Sequence, residues 1–312
     1  METTNRYGYC CINIQLNEID VSANRGMVKR TFMAKGLDYV SEIAIINLEN
    51  LSKIIEWNHK HGIKLYRITS NLFPWMSEYE ITELPRFAKI KSLLEKAGTL
   101  AKQYDQRLTF HPGPFNVLAS ESQSAVAKTV KELNQHSQIF DLMGLECSHY
   151  YPVNIHIGGT YGCKADAIAR FCENFKKLSD SAKSRLVIEN DDRASMYSVK
   201  DLYDVSIATG APVTFDYHHH RLNTGGLSEE DALKLAASTW PVKQLVHYSS
   251  CKKTHEDPTA KPQAHADMIY EKIKTYGLSL DIEIEAKSKE IAVIKYLDQV
   301  KKDTLLNEYI EF

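Results

Sequence analysis

Leu186-Val187-Ile188-Glu189 and Val213-Thr214-Phe215-Asp216 decide the reading of this chain. Each is a short apolar run, the pattern of a strand buried on both faces, and each ends in a carboxylate. Working outward, the same construction recurs. His111 closes the run 107–111, and His156 closes Val153-Asn154-Ile155-His156. His247 closes Leu245-Val246-His247, and Glu285 closes 281–285. Six such runs at roughly even spacing describe parallel strands aiming their carboxyl ends at one place. In a closed barrel of alternating strands and helices, that end carries the chemistry.

Strand-like runs at 7–14 and 63–70 bring the number to eight. Helical apolar spacing is expected at 42–61, closed by Gly62, then at 83–104, 121–142, 164–180, 198–209, 227–239, 265–276 and 288–301. This alternation predicts an α/β fold, a single-domain (β/α)8 TIM barrel over residues 1–312. An open doubly wound sheet is the alternative. The Gly-x-Gly-x-x-Gly turn it would bring after its first strand is absent. The longest loops, 71–82, 112–120, 190–197, 217–226 and 249–264, largely follow strands and so crowd the ligand-bearing face.

A formal net charge of -2 gives no global reason to expect a polyanionic partner. A nucleic-acid reading must find positive charge locally or in bound metal. Six cysteines without a Cys-x-x-Cys pair suggest neither a zinc ribbon nor a disulfide framework, and fit a reducing intracellular compartment. The start of the chain has no apolar signal region, and no run approaches the roughly 20 apolar residues a bilayer needs. A soluble intracellular protein without a membrane partner is expected, in nucleus or cytoplasm. No obligate protein partner is evident.

Each ligand type has a plain reading by itself. His111, ended abruptly by Pro112-Gly113, is a strand-capping histidine, and His156 is a core histidine beside two glycines. Glu189 and Asp216 are harder to explain, because a buried carboxylate needs a cation or a hydrogen-bond network. Asp216 is followed by His218, His219 and His220. Asp-x-x-His spacing favours His219, and a solvated run is the reading for the other two. Asp281, Glu283 and Glu285 share one side of the last strand, with only Glu285 at its carboxyl end. His265 is expected to begin a helix and lean over the site. Together these imidazoles and carboxylates exceed the four ligands of a structural zinc. They suit two or three divalent cations with bridging carboxylates, and mixed nitrogen and oxygen ligands fit manganese, zinc or magnesium.

Clustered divalent ions suit in-line displacement at phosphorus and give a phosphodiester positive potential despite the acidic pI. Lys252, Lys253, Lys261, Lys287 and Lys289 lie at or near this face by the strand assignment. Tyr9, Phe73, Trp75 and Phe115 are aromatic residues near the mouth, where rings can wedge into a base stack or hold a displaced base. Core packing is the plainer expectation for Phe73.

At these residues the chain resembles the UV-damage endonucleases of the UvdE family nearly end to end. The resemblance is carried by Leu65-Tyr66-Arg67-Ile68-Thr69-Ser70, Phe110-His111-Pro112, Asn154-Ile155-His156-Ile157-Gly158-Gly159 and Glu189-Asn190-Asp191-Asp192. Phe215-Asp216-Tyr217-His218-His219, Val246-His247-Tyr248-Ser249, His265-Ala266-Asp267 and Ile284-Glu285-Ala286-Lys287 continue it. It implies a (β/α)8 barrel with a cluster of divalent metals, typically Mn2+, that acts on damaged double-stranded DNA. The implied cut lies immediately 5′ to cyclobutane pyrimidine dimers and 6-4 photoproducts. The implied ligands are His111, His156 and Glu189 for one metal. Glu189 would bridge to a second, held by Asp216, His247 and Glu285, and His219 and His265 would serve a third. Glu189, Asp216, His247 and Glu285 would form the catalytic centre, with no side-chain nucleophile. Tyr9 and the loop after His111 would probe the lesion, with Lys287 near the DNA.

Three departures from the family pattern stand out. Glu78 aligns with a usual histidine and could still serve a metal. Leu245 replaces a lysine that can be carboxylated, and Pro114-Phe115 replace glutamine and an aromatic residue. Other readings are an abasic-site endonuclease of the endonuclease IV type, a sugar isomerase of the xylose isomerase type, and a non-catalytic damage-binding protein.

Overall fold

The apolar strand runs close on one another in a computed structural model that describes residues 5–310. The strands are β1 (Arg6–Cys10), β2 (Leu65–Ile68), β3 (Arg107–Phe110), β4 (Val153–Ile155), β5 (Leu186–Glu189), β6 (Val213–Asp216), β7 (Leu245–Tyr248) and β8 (Asp281–Ile284). They pair in parallel and in sequence order, and β8 returns to β1 to close the barrel. This is the (β/α)8 barrel expected from the alternation. Helices Lys29–Lys60, Phe87–Gln103, Gln123–Leu142, Lys164–Phe175, Val199–Thr209, Glu229–Ala237 and Lys289–Ile310 alternate with the strands. Ile54, Leu94, Phe140, Phe171, Leu202 and Leu233 are buried against the barrel wall. Removing such side chains from water contributes about 1.5–3 kcal/mol each. Among the described residues, no helix is long and apolar enough to cross a membrane.

The structure differs from the sequence reading in three places. β1 stops at Cys10 rather than running to residue 14, because Cys11 turns to φ +68° and Asn13 caps a short helix, Ile14–Asn17. The second helix starts at Lys29, well before residue 42, and is broken at Gly36, where φ is +61° and ψ −156°. Its early residues are largely polar and exposed, so apolar spacing gave no sign of them. The helix expected at 265–276 does not form. Its backbone is taken up elsewhere: Ala266 N–H donates to the Ser250 carbonyl, Tyr270 N–H to Ser250 Oγ, and Lys287 N–H to the Ala266 carbonyl. His265 instead makes an isolated antiparallel bridge with Cys251.

Charge fills the barrel interior in tiers. At the amino end, Asp281 meets Lys243 Nζ at 2.7 Å, Arg107 Nη1 at 3.1 Å and Arg6 Nε at 3.8 Å. One tier up, Glu283 lies 2.6 Å from Arg67 and accepts from Thr109 Oγ1. The mouth of the barrel is the third tier.

Candidate metal centre

The register of the strands brings their terminal side chains together around Glu189, the last residue of β5. Its carboxylate is 1% exposed. Oε2 lies 3.0 Å from His111 Nε2 and 3.7 Å from His156 Nε2, and Asn154 Nδ2 donates to it. Oε1 lies 3.1 Å from His247 Nδ1 and 3.4 Å from His219 Nδ1. Among the described residues, two trios hold ligand atoms close enough for one cation each: His111, His156 and Glu189, and Glu189, Asp216 and His247. Glu189 belongs to both. Glu285, just past β8, extends the second trio, with Oε1 3.6 Å from His247 Nδ1.

The donor chemistry fits divalent ions. A ligating imidazole must be neutral, with its other nitrogen held by an acceptor. His111 Nδ1 lies 3.1 Å from the Pro112 carbonyl, and His156 Nδ1 3.1 Å from Asp191 Oδ1, which leaves each Nε2 facing Glu189. His219 Nδ1 lies 2.8 Å from the Asn190 carbonyl, and His265 Nδ1 3.0 Å from the Glu285 carbonyl. Asp216 uses Oδ1 to cap its own helix, accepting from His219 N–H at 2.7 Å. Its other oxygen is buried with no hydrogen-bond partner among the described residues. A buried carboxylate oxygen without a donor is the kind of group a cation satisfies.

Electrostatics agree. Burial pushes Glu189 up, but His247, His156 and His111 outweigh it and hold the carboxylate well below its usual range. Burial opposes charge on His247 and His156, yet the neighbouring carboxylates, Glu189 foremost, push them up to about 10 and about 9. Protons on these rings would balance the carboxylates, and divalent ions would replace those protons.

Other predicted residues are spread more widely. Phe115 is 90% exposed, at the tip of the loop after His111, with Pro114 exposed beside it. This loop separates two cavities. One of about 240 Å3 is lined by His111, His156, Gly158, Asp191 and Met196. The other, of about 400 Å3, is lined by Asn71, Phe73, Trp75, Phe115, Asn116 and Glu132. Lys287 is exposed just past β8. Lys252 pairs with Glu256 and Asp267. Glu78 is exposed and stands outside both trios, its carboxylate 2.9 Å from Lys128 Nζ. Tyr9, expected at the mouth, is instead fully buried in the barrel wall. The alternation of β1 turns it away from the interior, and its hydroxyl donates to Asn58 Oδ1 at 2.8 Å. His218 and His220 are not solvated either: a short helix, Tyr217–Leu222, folds straight off Asp216 and buries both.

Sequence reasoning gave no role to Arg67 or Glu283. Arg67, on β2, reaches Glu283 at 2.6 Å, Glu285 Oε1 at 2.6 Å and His247 Nε2 at 2.7 Å. An arginine inside Leu65-Tyr66-Arg67-Ile68 was the available signal.

The comparisons with known proteins point to one family. The model of the family described as UV-endonuclease UvdE matches residues 5–311. The chain is 36% identical over 306 residues to the UV-damage endonuclease of Schizosaccharomyces pombe, covering 93% of this chain but only 50% of that relative. It thus spans half the length of that protein. It is 34% identical over 311 residues to the UV DNA damage endonuclease of Clostridium perfringens, covering 95% of this chain and 71% of the relative. Among solved structures, the crystal structure of SacUVDE superposes with a TM-score of 0.85 at 32% identity, covering 96% of this chain and 99% of that one.

Proposed function

The chain belongs to the UV-endonuclease UvdE family, and from that premise we propose that it cuts UV-damaged double-stranded DNA. The cut is hydrolysis of the phosphodiester immediately 5′ to a cyclobutane pyrimidine dimer or 6-4 photoproduct. Two or three divalent ions serve it, Mn2+ first among them. One observation carries the reading: a single buried carboxylate, Glu189, is shared by two ligand trios at the carboxyl end of the barrel.

In this reading His111 and His156 hold one ion with Glu189, while Asp216, His247 and Glu285 hold its neighbour. His219 and His265, each held through Nδ1, would offer Nε2 to a third. Such ions supply Lewis acidity and lower the pKa of water. The chain's own residues do the rest. Asp191 and the carbonyls of Pro112, Asn190 and Glu285 fix the imidazole orientations. Gly158, at φ +109° and packed on Val117, and Gly159 line the cavity beside His156. Phe115 and Pro114 meet the duplex, where an exposed ring can fill the gap left by displaced bases, and Lys287 meets a phosphate. Work on DNA places the protein inside the cell, where its six cysteines stay free.

The test is incision mapping on a duplex bearing one defined dimer, beside matched undamaged and abasic duplexes. The expected result is a Mn2+-dependent nick 5′ to the dimer, abolished by chelation and by Glu189→Gln. Metal-loaded protein that binds the dimer duplex and leaves it whole overturns the reading. Preferential cutting at the abasic site moves it to the endonuclease IV type.

A further inference from the structure

The histidines around the centre are anchored by two different means. His111, His219 and His265 rest on backbone carbonyls, and His156 on Asp191 at the rim. Each uses Nδ1 for this, and His111 and His156 turn Nε2 to Glu189. His247 is reversed. Its Nδ1 faces Glu189, and its Nε2 points down into the barrel, 3.2 Å from Glu283 Oε2. Glu283 is its direct neighbour across the β7–β8 pairing, and both side chains are fully buried.

We propose that Glu283 is the positioning residue for His247: it accepts the Nε2 hydrogen and thereby aims the Nδ1 lone pair at the Glu189–Asp216 group. The inference rests on the metal-centre reading above. Arg67 Nη2 lies 2.7 Å from the same Nε2. A ring nitrogen offers one hydrogen or one lone pair, so Glu283 and Arg67 cannot both bond it at once. When Nδ1 holds an ion, Nε2 carries the hydrogen, and of the two neighbours only the carboxylate can accept it. Arg67 is a donor only. Its part is to hold Glu283 in place, through Nε at 2.6 Å, together with the Thr109 hydroxyl. Leu245, one tier below His247 and paired with Asp281, brings no charge to this wall, so the anionic support comes from Glu283.

Metal-stripped full-length protein and its Glu283→Gln variant are titrated with Mn2+, with free ion counted by electron paramagnetic resonance. The His247 ring is read by 15N NMR in the Zn2+-loaded form. The wild type is expected to bind at least two ions and to show a single His247 tautomer with hydrogen on Nε2. Glu283→Gln is expected to weaken one ion by about 10- to 100-fold and to mix the tautomers. A double variant, Arg67→Met with Glu283→Met, removes the charged pair together, although Glu285 also loses Arg67. It is expected to mix the His247 tautomers, a readout that the loss of Arg67 from Glu285 does not itself move, and it decides alone if Glu283→Gln fails to fold. Folded variants that keep wild-type affinity and a single Nε2–H tautomer overturn the inference and leave the metal centre standing. A wild type that takes up no ion overturns the metal centre and the inference with it.

Discussion

The two ends of one strand pose the same problem and solve it differently. At the amino end of β8, Asp281 is surrounded by Lys243, Arg107 and Arg6, all covalent parts of the chain. Glu285 follows the carboxyl end; Arg67 holds one of its oxygens at 2.6 Å, but Glu189 and Asp216 beside it face imidazoles, and Asp216 keeps one oxygen without a donor among the described residues. Both tiers bury carboxylates. The floor is balanced permanently, whereas the mouth is balanced by groups that gain and lose protons or by ions that come and go. Permanent balance serves the fold, and exchangeable balance serves chemistry.

The largest effect that would sharpen this contrast is on catalysis. Glu189→Gln is expected to lower incision of a dimer-bearing duplex roughly a thousandfold or more, since it strips transition-state charge stabilisation of several kcal/mol from both ion sites. The variant should still fold, with a thermal midpoint below that of the metal-free wild type at pH 7 and converging on it toward pH 10, where the proton balance with His247 and His156 is lost in both. Loss of folding in this variant would erase the distinction between the tiers. At the floor, Asp281→Ala leaves three cations around an empty place and is expected to cost about 3–5 kcal/mol in urea unfolding. The remaining folded protein should bind Mn2+ as the wild type does. A floor variant that unfolds normally but loses metal would break the comparison.

The third expectation concerns pH. His247 and His156 are raised to about 10 and about 9 when no ion is present. Folded-state values above the unfolded value of about 6.5 stabilise the metal-free protein fully below that pH. The contribution is lost as pH rises through the folded values. Metal-free protein should therefore melt progressively lower from pH 7 toward 10, and bound Mn2+ should flatten the decline. A metal-free melting curve independent of pH over this window would argue against proton balance at the mouth. Next, Phe115→Ala should reduce dimer affinity by about 1–3 kcal/mol without altering metal content, the range for losing one aromatic–base contact. The smallest effect belongs to Glu78, whose exposed pair with Lys128 is a surface salt bridge. Glu78→Gln should shift stability by less than about 1 kcal/mol and leave the Mn2+ count unchanged. A lost ion there would place Glu78 in the centre after all.

The sequence made the mouth legible because its candidate ligands stand last in apolar runs, a linear signal that survives without coordinates. Glu189, Asp216, His111 and His156 were found this way, and the barrel followed from their spacing. The floor was less legible. Asp281 and Glu283 were seen to share a face with Glu285, but nothing in the sequence said that Arg107 and Arg67 pointed at them from strands far away along the chain. Tyr9 was misplaced because which side of β1 faces inward is set by the register with β2 and β8, not by β1 alone. The missing helix at 265–276 shows tertiary bonding overriding spacing: Met268, Ile269 and Ile273 pack against the core without a helix to present them. His218 and His220 were hidden for a related reason, since a helix starting on Asp216 itself turned a polar run inward.

The pairing of Arg107 and Asp281, both fully buried, also constrains how this sequence can drift. Losing Asp281 strands the Arg107 charge where water cannot reach it, and losing Arg107 leaves Asp281 to Lys243 and a more distant Arg6. Losing both to apolar residues of similar volume is far milder. Arg67 and Glu283 one tier above are coupled too, within a network that also takes in Glu285 and His247. The barrel lining is therefore inherited in couples, and a lineage that changes one member is expected to change the other soon after. Among relatives these positions should vary together while the exposed surface varies residue by residue.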